Sequence, residues 1–247
     1  MIRSILVTRP VDDTAEIAGV IESLGFRAIL SPVLKIIDEA VALPDPKSYR
    51  GLIFSSVNGV RAFARLSPNA AYLQFPAFAV GPGTATQLAR MGFSNIRTAD
   101  GTMRSLIPLL QDHFGDAVPL LHLRGRDIRD DPAALLPWPI DGITLYRAEG
   151  IEALDSAALD ALRAEQVAAV LLYSARSAEA FVLAVKNAGM EEDFGGVKAL
   201  CLADSVLESA HHLNWAECHV AATPDQNGMI RLLEELKRHD DQQQSTT

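Results

Sequence analysis

Short apolar runs alternate with stretches of helical spacing along almost the whole chain, and this alternation constrains the fold more than any other feature. Residues 3–8 (RSILVT) read as a buried strand. Residues 12–24 follow with Ile17, Val20, Ile21 and Leu24 at helical spacing, and Gly25 is the stop signal. Residues 26–33 read as the next strand. Residues 52–54 lead through Ser55 and Ser56 into a helix carrying Val60 and Phe63. Residues 77–80 lead through Gly81-Pro82-Gly83-Thr84 into a helix that ends at Gly92. A short strand at 95–99 precedes Asp100-Gly101-Thr102 and a helix over 104–112. Further strands are expected at 119–123, 143–146, 167–173, 198–202 and 217–222, the last three each leading into a helix. Strands interleaved with helices imply parallel βαβ units and the α/β class. A parallel sheet is covered on both faces, so its strands read as continuous apolar runs, as these do.

The two halves resemble each other. Ile5-Leu6-Val7-Thr8-Arg9 parallels Leu120-Leu121-His122-Leu123-Arg124, and Ile53-Phe54-Ser55-Ser56-Val57-Asn58 parallels Leu171-Leu172-Tyr173-Ser174-Ala175-Arg176. Phe63 falls opposite Phe181, Ala79-Val80-Gly81 opposite Cys201-Leu202-Ala203, and Gly92-Phe93 opposite Asn214-Trp215. Such self-similarity points to two related α/β domains with a cleft between them. Two segments break the rhythm and read as linkers. One is 36–50, with Asp38, Glu39, Pro44, Asp45 and Pro46; the other is 147–154, with Glu149, Gly150 and Glu152. Two crossings imply that one domain is inserted into the other. Residues 239–247 (HDDQQQSTT) lack an apolar anchor and read as a disordered tail.

Composition narrows the function classes. Of the 247 residues, 49% are hydrophobic, enough for packed cores. No apolar run approaches the ~18 residues of a membrane span, so no membrane partner is expected. The first residues enter a strand pattern without a signal-peptide h-region, and Cys201 and Cys218 are too few for a disulfide framework. The expected compartment is the cytoplasm. With 22 Lys+Arg against 31 Asp+Glu, the net charge of −9 argues against nucleic-acid binding. An anionic ligand would need a local cluster of donors.

Ligands of open parallel sheets bind beyond the carboxyl ends of the strands. There stand Thr8-Arg9, Ser55-Ser56-Val57-Asn58, Gly81-Pro82-Gly83-Thr84 and Gly101-Thr102, and in the second half Arg124-Gly125-Arg126, Tyr146, Ser174-Ala175-Arg176 and Ala203-Asp204-Ser205. Hydroxyls, arginines and helix-N-terminal amides suit carboxylates or phosphates. Taken singly, each Ser or Thr equally suits a helix cap; their recurrence at nearly every strand end is the stronger signal. Gly81-Pro82-Gly83-Thr84-Ala85-Thr86 lacks the third glycine of a dinucleotide fingerprint, and no P-loop occurs. A receiver domain would carry acids at its first strand end, where Thr8-Arg9 stands. His211-His212 and Cys218-His219 lack metal-ligand spacing, so no metal is expected. Ser55, Ser174 and Ser205 lack a nucleophile elbow. Trp138 and Trp215 read as packing residues.

Val7-Thr8-Arg9-Pro10, Phe54-Ser55-Ser56-Val57-Asn58-Gly59-Val60, Ala79-Val80-Gly81-Pro82-Gly83-Thr84-Ala85, Leu123-Arg124-Gly125 and Thr144-Leu145-Tyr146-Arg147 together resemble the uroporphyrinogen-III synthase family, in order and over nearly the whole chain. The chain departs from it at Ala203-Asp204-Ser205-Val206-Leu207, where the family often shows Gly-x-x-Thr-Ala. The resemblance implies two flavodoxin-like, three-layer α/β domains with parallel sheets, joined by a two-stranded linker. One domain would be 1–35 plus 154–247, the other the inserted 36–153. It also implies a substrate held in the inter-domain cleft.

The implied reaction converts hydroxymethylbilane, a linear tetrapyrrole with eight carboxylates, to uroporphyrinogen III, with inversion of ring D and loss of water. It implies no cofactor and no metal. Tyr146 matches the family's implicated tyrosine and would protonate the departing hydroxyl. Arg9, Arg124 and Arg176 would clamp carboxylates, and Thr8, Ser55, Ser56, Asn58, Gly81, Thr84, Gly101, Thr102 and Ser174 would donate through side chains or amides. A monomer is expected. The competing reading is a non-catalytic two-domain protein that binds a small polyanion in the same cleft.

Overall fold

The computed structural model describes residues 3–11, 14–128 and 130–244. In chain order the elements are β1 (Ser4–Val7), α1 (Ala15–Ser23), β2 (Arg27–Leu30), β3 (Leu34–Asp38), β4 (Gly51–Phe54), α2 (Val57–Arg65), β5 (Ala77–Ala79), α3 (Pro82–Met91), β6 (Ile96–Thr98) and α4 (Leu106–Phe114). They continue with β7 (Leu120–Gly125), α5 (Pro132–Leu135), β8 (Ile140–Gly150), α6 (Ser156–Arg163), β9 (Val167–Leu172), α7 (Ala175–Asn187), β10 (Lys198–Cys201), α8 (Asp204–Ala210), β11 (Glu217–Val220) and α9 (Gln226–Gln244). Among the described residues no helix is long and apolar enough to cross a membrane.

The chain divides into two compact units, an outer one of residues 1–35 with 149–247 and an inserted one of residues 36–148. The outer sheet runs β11-β10-β9-β1-β2, every pair parallel. Alternation along each strand sends Ile5, Val7, Ala169 and Leu171 to one face, against Ile17 and Ile21 of α1 and Met229 and Leu233 of α9. Leu6, Val170, Leu172 and Cys201 face the other way, against Ala161 of α6, Phe181 of α7 and Val206 of α8. Both faces are covered, which is why these strands are apolar throughout.

The inserted sheet runs β3-β8-β7-β4-β5-β6. Leu52, Phe54, Leu121 and Leu123 pack on Val60 and Phe63 of α2 and Leu88 of α3, with the Phe54 and Phe63 rings edge to face at 5.6 Å. Ile53, Phe78 and Leu120 pack on Leu106 and Leu110 of α4. Gly92 closes α3 at φ 103°, a left-handed conformation that costs a side chain but not a glycine.

The outer sheet has the flavodoxin strand order, 2-1-3-4-5 within its own unit, whereas the inserted one reads 3-2-1-4-5 with β3 added at the edge. The two are nonetheless one arrangement, circularly permuted. β2-β1-β9-β10-β11 and β8-β7-β4-β5-β6 succeed each other in space alike, so β1 corresponds to β7 and β9 to β4. That is why Ile5–Arg9 matches a segment at the end, not the start, of the inserted unit.

Three expectations change. The strand expected over 26–33 stops at Leu30, and β3 emerges from the segment read as a linker. The second supposed linker begins inside β8, which extends to Gly150. Both crossings between units therefore run within β3 and β8, which neighbour each other; the Glu39 amide donates to the Leu145 carbonyl at 2.8 Å and the Ile151 amide to that of Val33 at 2.9 Å. Finally, residues 239–244 belong to α9 and are not a disordered tail. Leu236 is buried, and Asp240, 8% exposed, meets Arg3 at 3.1 Å. Residues 245–247 lie outside the described residues.

Candidate active site

A crevice opens in a parallel sheet where the chain leaves two neighbouring strands in opposite directions. In the inserted unit these strands are β4, which leads to β5, and β7, which leads to β8. A cavity of about 290 Å³ lies there. Five of the residues expected from sequence line it: Ser55, Ser56, Gly101, Thr102 and Tyr146.

Ser56 caps α2. Its extended backbone lets Oγ accept the Gly59 amide at 3.0 Å, which satisfies one of the free amides of the first turn. The same Oγ lies 2.9 Å from the Tyr146 hydroxyl. Capping and site chemistry thus meet on one atom. Tyr146 reaches that point because Gly125, its partner across β7 and β8, has no side chain. A Cβ on Gly125 would stand 2.7 Å from the Tyr146 Cζ. A register shift after Arg124 brings the two residues opposite each other.

Ser55 Oγ lies 3.0 Å from Nε2 of His122 on β7. His122 is wholly buried, and burial, reinforced by the Arg124 charge, holds its pKa down to about 4. The ring is therefore neutral at pH 7. The exposed Asp127 and Asp130 stand on the rim, and Val80, Met103 and Ile128 add apolar surface.

The remaining predicted residues of this unit do not line the cavity. Gly81 caps α3, Thr84 is buried inside that helix, and Asn58 is half-buried in the first turn of α2. Arg124 lies against Gly142, where a Cβ would meet its Nε at 2.8 Å.

The outer unit has the corresponding strand pair, β1 and β9, which lead to β2 and β10. Thr8 is fully buried there and donates to the Leu171 carbonyl at 2.7 Å, so its hydroxyl serves the sheet and is not open to a ligand. Arg9 stacks on the Tyr173 ring at 4.3 Å and donates to Gln226 Oε1 at 3.0 Å. Burial pushes the Tyr173 phenol up to about 12, opposed by the Arg9 charge. Ser174 caps α7 and forms a capping box with Ser177. Arg176 is half-buried in the first turn of α7. Ala203 begins α8 without a side-chain cap, and Asp204 and Ser205 are exposed.

Other motifs resolve into packing. Trp138 is buried and donates to the Asp116 carbonyl at 3.4 Å. Trp215 stacks on Phe181 and donates to Ala210 at 2.8 Å. Among the described residues no group of three His, Cys, Asp or Glu could hold a metal. Sequence reasoning missed His122, Asp127 and Asp130 as site residues, and named Gly125 only as part of the strand end Arg124-Gly125-Arg126. The one available signal was a titratable ring in the apolar run Leu120-Leu121-His122-Leu123.

A family model described as uroporphyrinogen-III synthase HemD matches residues 15–231. Among solved structures, the chain is similar in fold to uroporphyrinogen-III synthetase from Helicobacter pylori, at 16% identity and a TM-score of 0.63, covering 95% of this chain and 100% of that one. It is also similar to a mutant uroporphyrinogen III synthase from Thermus thermophilus, at 18% identity and a TM-score of 0.56, covering 97% and 99%. No curated protein sequence matches the chain.

Proposed function

The chain belongs to the uroporphyrinogen-III synthase family, cyclising lyases of haem biosynthesis, and on that premise we propose how its own residues close hydroxymethylbilane to uroporphyrinogen III. Tyr146 is the proton donor. Ser56 Oγ accepts the Gly59 amide, and in this reading its hydroxyl donates a hydrogen bond to the Tyr146 oxygen, which leaves the phenolic proton facing the substrate. The terminal hydroxyl of the substrate takes that proton, its C–O bond breaks, and water leaves. The azafulvene that remains is stabilised by its pyrrole nitrogen; the substituted α-carbon of ring D attacks it, the bond from that carbon to its old methylene bridge breaks, and the methylene rejoins ring D at its free α-carbon, whose proton leaves and restores the Tyr146 phenol. Positive charge spreads over the pyrrole as water departs. Asp127 and Asp130 on the rim favour that charge and disfavour a carboxylate entering the cavity. The cavity therefore suits the reacting end of the substrate better than its acidic side chains.

The carboxylates are taken elsewhere, by Arg124 in the inserted unit and by Arg9 and Arg176 in the outer one, with amides at the helix N-termini adding neutral donors. Holding the chain so that the correct carbon attacks supplies roughly 7–11 kcal/mol of the barrier reduction. The enzyme acts as a cytoplasmic monomer in this reading.

The observation that carries the reading is the Tyr146 hydroxyl in the cavity wall, 2.9 Å from the Ser56 hydroxyl. Incubation with enzymatically generated hydroxymethylbilane, followed by isomer analysis, tests it. Type III product is expected. Type I product alone would mark a binding protein instead.

A further inference from the structure

His122 has a second ring nitrogen, Nδ1, that is buried with no hydrogen-bond partner among the described residues. The tautomer follows from that atom. If the proton sat on Nδ1, an N–H would be buried without an acceptor, and Ser55 would have to donate to Nε2. If it sits on Nε2, the orphan is a lone pair. Native structures tolerate under-satisfied acceptors better than orphaned N–H groups, as the backbone shows. Nε2–H therefore donates to Ser55 Oγ across 3.0 Å. A hydroxyl whose lone pair is so engaged keeps its own proton for another partner, and Ser55 lines the cavity that contains Tyr146. The charged groups acting on the ring are Arg124 and Asp131, and the first disfavours a second ring proton.

We propose that His122 is a positioning residue that fixes Ser55 as a hydrogen-bond donor into the cavity, where the Ser55 hydroxyl holds the departing hydroxyl oxygen of the substrate beside Tyr146. This rests on the functional reading above. It also makes Ser55 the opposite of a hydrolase nucleophile, since its base-side lone pair is occupied and its proton is not abstracted. A donor aimed at an oxygen that gains negative charge as its C–O bond stretches acts in the transition state, so its loss falls on kcat.

The test has two arms. In the ligand-free protein, nitrogen-correlated NMR of the imidazole reads the tautomer directly, and the Nε2–H form is expected. In turnover with hydroxymethylbilane, His122→Leu lowers kcat about tenfold with KM within about twofold, and His122→Gln, which keeps a donor near Nε2, restores most of it. An Nδ1–H tautomer overturns the inference even if the leucine variant fails to fold. So does an unchanged kcat, or a loss confined to KM. Wild-type protein that yields no type III isomer would overturn the functional reading itself. Type III product from a protein with the Nδ1–H tautomer would overturn this inference alone.

Discussion

The Tyr146 ring occupies the volume in which a Gly125 side chain would begin: a Cβ there would lie 2.7 Å from Cζ and 2.9 Å from the hydroxyl oxygen. The two residues face each other across adjacent strands, so any side chain at position 125 must displace the Tyr146 ring. Gly125→Ala is expected to swing the ring out of the cavity wall. Overpacking should cost about 1–3 kcal/mol of stability, and kcat should fall at least as far as in Tyr146→Phe. Thermal unfolding and steady-state turnover measure the two effects; an alanine variant with wild-type kcat would break the link.

Tyr146→Phe keeps the ring and removes the proton. Turnover should fall roughly 10–100-fold, short of the full range for a general acid because the pyrrole nitrogen shares the work. KM should stay within about twofold, since the hydroxyl acts on bond breaking rather than on binding. An equal loss in binding and turnover would assign Tyr146 to substrate holding.

Ser56 and Ser174 cap α2 and α7 with nearly identical backbone angles, yet of the two it is Ser56 that lies beside the hydroxyl of Tyr146, the proposed proton donor. Either serine changed to alanine should lower stability by about 0.5–2 kcal/mol through the lost cap. The Ser56 variant should also lose turnover by more than its stability loss explains. Denaturation curves paired with kcat separate the shared cost from the one particular to Ser56.

Acid should weaken the fold through His122. Its pKa is about 4 in the folded protein against 6.5 for a free side chain, so between those values the unfolded chain binds more protons. Stability is fully present above about pH 6.5 and is lost as pH falls toward 4, with an upper bound on the order of 3 kcal/mol. Carboxylates held low by partners, such as Asp38 beside Arg65, act below that window. Urea midpoints should fall between pH 7 and pH 4.5 in the wild type and change little in His122→Gln over the same range.

Much of the scaffold was readable because burial on both faces leaves β1, β4 and β9 no polar residue except Ser4 at the edge of the first. β3 escaped notice for the opposite reason. As an edge strand of sequence LKIID it is half exposed and charged, which is what a linker looks like. The end of α9 was missed because its anchor is ionic: Asp240 is buried by pairing with Arg3, a partner 237 positions away. Within the site, hydroxyls after strands were legible and their sorting was not. Thr8, Ser55 and Ser56 all follow strands, yet one is sealed in the sheet, one faces a histidine and one caps a helix. His122 showed only as a titratable ring in an apolar run, and a buried-strand pattern does not say which group such a ring faces. Asp127 and Asp130 depend on the path of the loop after β7, which no periodicity encodes.

The pairing of β3 with β8 also bears on how this chain can be taken apart. Val33 and Ile151, just before β3 and just after β8, are hydrogen-bonded at 2.9 Å, so the two chain segments lie about as far apart as paired strands do, ~4.8 Å. Excising everything between them leaves two ends that a two-residue hairpin loop can rejoin. The outer half of the molecule is thus a natural starting point for a miniature protein, with its five parallel strands intact and the polar end of its own sheet open to new ligands.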